Sequence, residues 1–211
     1  PGASWYYSRS TDVLGRIVEI VSGRTLGEEL SRRILDPLDM KDTAFHVPEK
    51  KQDRIAEAFD IDPDTKEPVK LLNQRRPAMF ESGGGGLAST ATDYARFCAM
   101  LAGGGALGKE RIIGRKTLEF MASDHLGPHV KRGSDLLPPG HGFGLGFAVR
   151  TSPGMTVVPG SQGLFYWGGV AGTTFWIDPK EDLFALLMIQ APGQRDYYRM
   201  LFRTLVYAAV E

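Results

Sequence analysis

Two segments far apart in the chain contain side chains that could do chemistry. The first is Trp5-Tyr6-Tyr7-Ser8, in which a phenol can accept or donate a proton. The second is Trp167-Gly168-Gly169, in which an indole offers a flat apolar surface and one N–H donor, while glycines let another group approach the backbone closely. Taken alone, the first segment is typical of an amphipathic core or surface stretch, and the second is typical of a glycine-marked bulge beside a core tryptophan.

Other familiar sites find little support in the sequence. The run Gly83 to Gly86 lacks the Lys-Ser/Thr of a phosphate-binding loop, and no Gly-x-Ser-x-Gly motif occurs. His125 and His129 stand four residues apart, but Gly127-Pro128 between them breaks the helix that would align them as metal ligands. The single cysteine, Cys98, lies on the apolar face of a predicted helix and is expected to be a core residue. The sequence therefore indicates no metal and no organic cofactor.

The charge balance argues against a nucleic-acid or membrane partner. The 211 residues include 25 basic and 25 acidic side chains, which removes the electrostatic attraction to phosphate backbones or anionic lipid. No apolar run approaches the roughly 20 residues that span a bilayer. With 42% hydrophobic residues, the chain can bury a core and is expected to form one or two domains. Localisation signals would lie upstream of Pro1, so the location is left open, with the cytoplasm favoured.

Hydrophobic periodicity predicts helices in the first part of the chain. Apolar residues recur at helical spacing from Val13 to Val21, and Ser22-Gly23 ends that helix. Thr25 and Glu28 form a capping-box pattern that opens a second helix, which Pro37 ends. Two further helices are predicted near residues 92–101 and 115–121, with a loop-rich segment at 46–80 and a surface loop at 125–141.

Patterns of glycine, aromatic and β-branched residues predict an antiparallel sheet in the last third of the chain. The expected strands are residues 142–150, 165–168, 172–177 and 183–189. The turn from Asp178 to Asp182 suits a hairpin and is too short for a parallel crossover. The last strand is apolar on both faces, so both sides of the sheet must be covered. The final helix is expected to bury a stripe formed by Tyr198, Leu201, Phe202, Leu205, Val206 and Ala209.

Helices followed by an antiparallel meander and a terminal helix indicate an α+β fold, with a mainly helical, loop-rich region over residues 1–141 and a sheet with the C-terminal helix over residues 142–211. The chain resembles the serine β-lactamase and penicillin-binding protein superfamily, in its class C-like carboxylesterase branch. Pro1-Gly2-Ala3-Ser4-Trp5-Tyr6-Tyr7-Ser8, followed by Asp12-Val13-Leu14-Gly15, is similar to the segment that holds the family's catalytic tyrosine. Trp167-Gly168-Gly169 is similar to the triplet that ends the strand lining the active site. Pro37-Leu38-Asp39-Met40 is similar to a segment with glycine in third place.

The resemblance covers almost the whole chain but only about the C-terminal half of the family fold, and it implies a role for each site residue. Tyr7, rather than Tyr6, would be the general base, and the N–H of Val170 would form half of the oxyanion hole. The substrate would be bound by Trp167, Gly168 and Gly169. A phenol is normally protonated at neutral pH, so the family places the lysine of Ser-x-x-Lys nearby. No Ser-x-x-Lys occurs here, so the nucleophile is expected upstream of this chain.

Two departures from the β-lactamase pattern point to the substrate. Arg9 stands where those enzymes have the asparagine that holds the substrate amide, and an arginine has no acceptor. Trp167 replaces the lysine that fixes the substrate carboxylate, and an indole cannot form that ion pair. The resemblance thus implies a serine hydrolase, a carboxylesterase that cleaves small neutral esters through an acyl-enzyme without a metal or cofactor.

Several alternatives remain open at this point. A β-lactamase, a D-amino-acid peptidase or an acyltransferase would use the same fold, and a lactamase-like domain that lost its nucleophile would bind without catalysis. The expected partners are a small-molecule ester and the N-terminal part of the fold, in the same polypeptide or in a separate chain. By itself the chain is expected to be inactive and poorly soluble, because a sheet edge and an apolar face would be uncovered.

Overall fold

The computed structural model describes residues 2–127, 129–133 and 135–211. Pro1 of the tyrosine motif and Pro128 between the two histidines lie outside the described residues. Within the described ranges, helices dominate the first half of the chain and the last third forms an antiparallel sheet closed by a terminal helix. The α+β class predicted from the sequence is confirmed.

The helices begin and end close to the positions that the sequence predicts. Their bounds are α1 (Ser10–Ser22), α2 (Leu26–Leu30), α3 (Ala91–Ala102), α4 (Arg115–Met121) and α5 (Arg195–Ala208). The capping box at the start of α2 is present, because Thr25 Oγ1 accepts the Glu28 N–H at 3.2 Å and Glu28 Oε2 accepts the Thr25 N–H at 2.9 Å. The same helix continues as a π-helical turn over Ser31–Leu35. No helix among the described residues is both long and apolar enough to cross a membrane.

Two short strand pairs precede the main sheet. β1 (Ser4–Trp5) pairs in parallel with β4 (Lys131–Arg132), and β2 (Ala106–Leu107) pairs antiparallel with β3 (Glu110–Arg111). The main sheet is antiparallel throughout, in the order β5-β6-β7-β8-β9. Its strands are β5 (His141–Phe143), β6 (Ala148–Arg150), β7 (Phe165–Gly168), β8 (Gly172–Asp178) and β9 (Leu183–Gln190).

One strand prediction was wrong in its extent. Residues 142–150 were expected to form a single strand, but they form the hairpin of β5 and β6, with Phe143 opposite Ala148. Gly146 has φ +98° in the connecting turn, a conformation that favours glycine and interrupts the extended backbone.

The sheet separates two apolar layers. One face packs on α3 and α4 around Phe147, Phe165 and Phe175, and the fully buried Cys98 of α3 lies in this layer. Burial raises the pKa of the Cys98 thiol to about 12, as expected of a core residue. The other face packs on α5 through Trp176. This second layer consists of Leu164, Trp176 and Ala185, against which Tyr166, Phe202, Val206 and Tyr207 pack.

The stripe predicted for the last helix is buried only in part, and the first helix also exposes most of its apolar residues. The buried residues of α1 are Asp12 and Gly15, because that helix packs its small and polar face on the glycine run; Ser82 Oγ and the Gly84 N–H both donate to Asp12. In α5 only Phe202 and Val206 of the predicted stripe face the sheet. The remaining apolar residues are exposed, namely Val13, Leu14, Ile17 and Val21 of α1 and Tyr198, Leu201, Leu205 and Ala209 of the α5 stripe.

Candidate active site

The segment that carries Tyr7 is anchored by the parallel pair of β1 and β4. The Gly133 N–H donates to the Trp5 carbonyl at 2.9 Å, which extends this pairing. The ring of Tyr6 lies so close to Gly133 that a Cβ there would collide with it. The Tyr6 ring therefore packs against the loop at Gly133, whereas the next side chain, Tyr7, points to the main sheet.

Tyr7 and Trp167, 160 positions apart in the chain, are in direct contact. The Trp167 indole Nε1–H donates to the Tyr7 hydroxyl at 3.3 Å, and the two ring centroids are 4.9 Å apart. Trp167 also packs edge to face with Phe143, with ring centroids 5.2 Å apart. Trp167 is also fixed by its place in β7, opposite Phe175 of β8, and its carbonyl accepts the Thr174 hydroxyl at 3.2 Å. The geometry therefore brings the predicted base and the predicted substrate-binding tryptophan to one end of the sheet.

The turn that follows Trp167 presents a free backbone donor. The Gly169 N–H donates to the Thr173 carbonyl at 2.9 Å, and the Gly172 N–H donates to the Gly169 carbonyl at 3.1 Å, so Val170 and Ala171 are the central residues of a tight turn. Val170 is 69% exposed. Within residues 2–127, 129–133 and 135–211, its N–H makes no hydrogen bond. An N–H that is unpaired in an exposed turn, three residues after Trp167, is available as a hydrogen-bond donor, and its role in an oxyanion hole stays a prediction.

The two glycines of the triplet are packed against protein atoms. A Cβ added to Gly168 would lie 2.7 Å from Nη2 of Arg199, and one added to Gly169 would collide with the Thr173 hydroxyl. These neighbours are a structural reason for glycine at both positions. Their role in substrate binding stays a prediction.

Two arginines of α5 hold the carbonyls of this turn. Arg199 Nη2 donates to the Gly169 carbonyl at 2.5 Å and to the Thr173 carbonyl at 2.9 Å, and Arg199 Nε donates to the Gly172 carbonyl at 3.3 Å. Arg195 Nη1 donates to the Val170 carbonyl at 3.4 Å. Burial lowers the pKa of Arg199, because desolvation disfavours its charged form.

These arginines were not among the residues predicted from the sequence, although a signal was present. Arg195, Arg199 and Arg203 recur every four residues and so share one face of a helix. The same face carries Phe202 and Val206. Arginines exposed to solvent would normally lie opposite such apolar residues, so this pattern indicates that the arginines turn inward. The structure explains the row, because Arg203 also turns inward and lies 4.8 Å from the ring centroids of Tyr166 and Trp176.

The serine hydroxyls of the glycine-rich segment serve the fold. Ser82 Oγ donates to Asp12 at 2.5 Å, and Ser89 Oγ lies 2.7 Å from Thr43 Oγ1. Asp12 is buried, and its pKa is lowered, first of all by the hydrogen bond from Ser82. These contacts give both hydroxyls a structural role and leave them without the role of nucleophile.

The candidate site is an open surface in this chain. Tyr7 is 37% exposed, and a cavity of about 270 Å³ lies elsewhere, beside α2 and Phe45, without contact to Tyr7 or Trp167. Among the described residues, no three His, Cys, Asp or Glu side chains are grouped so that they could hold a metal ion. The chemistry available here is that of a phenol, an indole and a backbone amide.

The chain matches a protein-family model and is similar in sequence to several known proteins. The family model described as Beta-lactamase matches residues 1–208. Protein Rv1367c of Mycobacterium tuberculosis is 36% identical over 198 residues, which cover 90% of this chain and 49% of that protein. The lovastatin esterase of Penicillium rubens is 32% identical over an alignment of 218 positions, which covers 90% of this chain and 51% of that protein. The chain spans about half the length of the curated relatives it matches.

A solved structure shows the same architecture. The LovD6 mutant of simvastatin synthase from Aspergillus terreus superposes with a TM-score of 0.79 at 21% identity, over 99% of this chain and 56% of that one. This likeness concerns the fold alone. Together with the family match, it confirms the β-lactamase/transpeptidase-like fold predicted from the sequence.

Proposed function

Because the chain belongs to the β-lactamase family, we propose that it is the C-terminal part of a serine hydrolase, a carboxylesterase acting on small neutral esters. The nucleophilic serine and its paired lysine lie in the polypeptide outside residues 1–211. The similarity to a protein named lovastatin esterase supports the esterase class. Tyr7 is the general base, Val170 supplies an oxyanion donor, and Trp167, Gly168 and Gly169 border the bound substrate.

The observation that carries the proposal is the hydrogen bond from the Trp167 indole to the Tyr7 hydroxyl, at 3.3 Å. A donor aimed at the phenol oxygen stabilises the phenolate that a base needs, without adding a charge of its own. At the same time the indole occupies the place from which a cation would attract a substrate carboxylate. The site is therefore arranged for proton transfer next to an uncharged substrate.

The geometry supports an acyl-enzyme mechanism in two steps. The Tyr7 phenolate takes the proton of the serine hydroxyl as the serine oxygen attacks the ester carbonyl. The carbonyl oxygen becomes an oxyanion, which the N–H groups of Val170 and of the nucleophile stabilise. The alcohol leaves with the proton held by Tyr7, and an acyl-enzyme remains. Tyr7 then deprotonates a water molecule that attacks the acyl group. As the acid is released, Tyr7 gives this proton to the serine oxygen, which restores the serine hydroxyl and the base.

The position of Arg9 supports the neutral-ester assignment. Its side chain is 86% exposed, and Nη1 lies 3.6 Å from the Asp12 carboxylate, on the side of α1. An arginine held there does not replace the asparagine that binds a substrate amide. The β-lactam class therefore lacks both its amide contact and its carboxylate contact among these residues.

We further propose that the N-terminal part of the same polypeptide completes this fold. The relatives are about twice as long as the chain. Within the described residues, β9 is an apolar strand that pairs on one edge only, and the outer faces of α1 and α5 expose apolar side chains. A segment that covers these surfaces would bury area that favours association and would bring the serine to Tyr7.

The test uses the full-length polypeptide that contains these residues. Its kcat/KM would be measured for a short-chain nitrophenyl ester and for a chromogenic cephalosporin, with Tyr7→Phe as the matched control. Labelling by a fluorophosphonate, followed by intact-protein mass spectrometry, would detect the nucleophilic serine.

We expect ester turnover with a single phosphonylated serine and little or no cephalosporin turnover. A preference for the cephalosporin would overturn the substrate class. A protein that turns over neither substrate and takes up no label would be a non-catalytic binding domain.

A further inference from the structure

We propose that Arg199 is a positioning residue that orients the Gly169–Val170 peptide so that the Val170 N–H faces the reacting ester. This inference rests on the proposed function, since it assigns a partner to the oxyanion donor of that reaction. Arg199 touches neither substrate nor nucleophile and acts through the backbone.

Arg199 binds the turn at both of its ends. Nη2 bridges the carbonyls of Gly169 and Thr173, at 2.5 and 2.9 Å, and Nε reaches the Gly172 carbonyl at 3.3 Å. The remaining nitrogen, Nη1, lies 3.8 Å from the exposed carboxylate of Asp196. One guanidinium thus contacts three of the carbonyls that shape residues 169–173, which a lysine, with a single point charge, could not do in the same geometry.

The contact with Gly169 determines the direction of the Val170 N–H. The Gly169 carbonyl and the Val170 N–H belong to the same peptide unit, which is planar and trans, so the two groups point in opposite directions. The Gly169 carbonyl accepts two hydrogen bonds, from Arg199 and from the Gly172 N–H. With its carbonyl held in this way, the peptide directs its N–H away from Arg199.

The Val170 N–H therefore points to the side of the sheet on which the proposed reaction takes place. Arg199 lies on the face of the sheet that α5 covers, whereas Trp167 packs with the layer on the opposite face, where it meets Tyr7. Gly168 makes the arrangement sterically feasible, because a Cβ there would lie 2.7 Å from Arg199 Nη2. We therefore interpret Gly168 as the residue whose missing side chain leaves room for the Arg199 guanidinium on the α5-facing side of β7.

The charge of Arg199 adds to the geometric effect. A cation that binds a peptide carbonyl polarises the peptide unit and strengthens the N–H of that unit as a donor. The Arg199 side chain is three-quarters buried, and its hydrogen bonds compensate for lost hydration. Because misplacing an oxyanion donor costs less than deleting it, we expect loss of Arg199 to reduce kcat about 10- to 100-fold.

The experiment compares Arg199→Ala and Arg199→Lys in the full-length protein. We expect kcat for a nitrophenyl ester to fall about 10- to 100-fold in Arg199→Ala, with KM changed by less than about threefold, and added guanidinium to restore part of kcat. Arg199→Lys should fold as the wild type and show an intermediate loss. Arg150→Lys is the matched control, because Arg150 binds the carbonyls of Pro153, Val158 and Pro159 in a similar manner. It lies next to Leu164, at the far end of the sheet from Val170, and should lower stability but not kcat.

A second readout does not depend on activity. A crystal structure of Arg199→Ala, or of Arg199→Lys if the alanine variant does not fold, should show the Gly169–Val170 peptide rotated or in more than one orientation. An unchanged peptide, or a kcat within threefold of wild type, would overturn the role of Arg199. If the wild-type enzyme lacks esterase activity while the variant's peptide rotates, the proposed function fails and the positioning contact stands.

Discussion

Replacing Trp167 by Phe removes one hydrogen bond and retains an aromatic ring at the same place. The bond lost is the indole N–H to the Tyr7 hydroxyl, at 3.3 Å. The ring contacts to Tyr7 and Phe143, with centroid distances of 4.9 and 5.2 Å, can be kept by the smaller ring. The substitution therefore separates the electrostatic role of Trp167 from its role as an apolar wall.

The expected magnitude follows from the length of the bond and the charge of its acceptor. A hydrogen bond to a charged group contributes about 1.5–3 kcal/mol, and one at 3.3 Å is longer than the usual range, so we take about 1–2 kcal/mol. At about 1.4 kcal/mol for each factor of ten, kcat should fall roughly 5- to 30-fold. The loss should appear in kcat rather than KM, because Tyr7 acts in the proton transfer and does not itself bind the ester.

The assay is steady-state hydrolysis of a short-chain nitrophenyl ester by the full-length protein. Phe143→Leu is a suitable control, since it removes the edge contact with Trp167 and leaves the hydrogen bond to Tyr7 in place. That variant should lose stability by about 1 kcal/mol and keep kcat within about threefold. Equal losses of kcat in the two variants would mean that packing, and not the indole N–H, supports Tyr7, and the argument from the hydrogen bond would be refuted.

Three further predictions concern other parts of the molecule. Tyr7→Phe should nearly abolish ester turnover in the full-length enzyme and leave its circular dichroism and melting unchanged; near-normal turnover would show that the base is another group. Gly168→Ala places a methyl group 2.7 Å from Arg199 Nη2 and should lower kcat by itself but hardly at all in the Arg199→Ala background, whereas additive losses would mean that the glycine serves the substrate directly. Hydrogen bonds, first of all from Arg32, lower the pKa of Glu29 to about 2 from an ordinary value of 4.5, so its carboxylate stabilises the fold above that ordinary pKa and loses this effect as the pH falls toward about 2. The difference in melting temperature between wild type and Glu29→Gln should therefore shrink between about pH 5 and about pH 2, and a difference that stays constant would contradict this assignment.

Local features of the sequence were sufficient for most of the secondary structure. The capping box of Thr25 and Glu28 formed as predicted, because both partners lie within one turn. Asp39, which stands where the family usually has glycine, has φ +54°, so the backbone at this position retains the left-handed conformation that explains the glycine. The strand over residues 142–150 was predicted too long, since a turn around Gly146 is not visible as a break in hydrophobicity.

The orientation of the helices could not be read from their own apolar stripes. The stripe of α5 was expected to be buried, yet most of it is exposed in this chain, as are most of the apolar side chains from Val13 to Val21 of α1. The reason is physical: a stripe shows that a surface will be buried, but not by which partner. Asp12 and the arginines of α5 face inward because hydrogen bonds compensate for their burial, and such compensation depends on atoms distant in sequence.

The sequence by itself determined the α+β class, which segments form strands and which form helices, and the two segments whose side chains could do chemistry. These features depend on residue type and on spacing within a few positions. Only the tertiary structure decided that Tyr7, and not Tyr6, meets Trp167, that the Val170 N–H is unpaired among the described residues, and that Arg199 stands behind the turn. Each of these contacts joins side chains or peptides whose separation in the sequence bears no relation to their distance in space. Hydrogen bonds and ring contacts act over a few ångströms, so their partners are known only when the sheet and the last helix have been brought together.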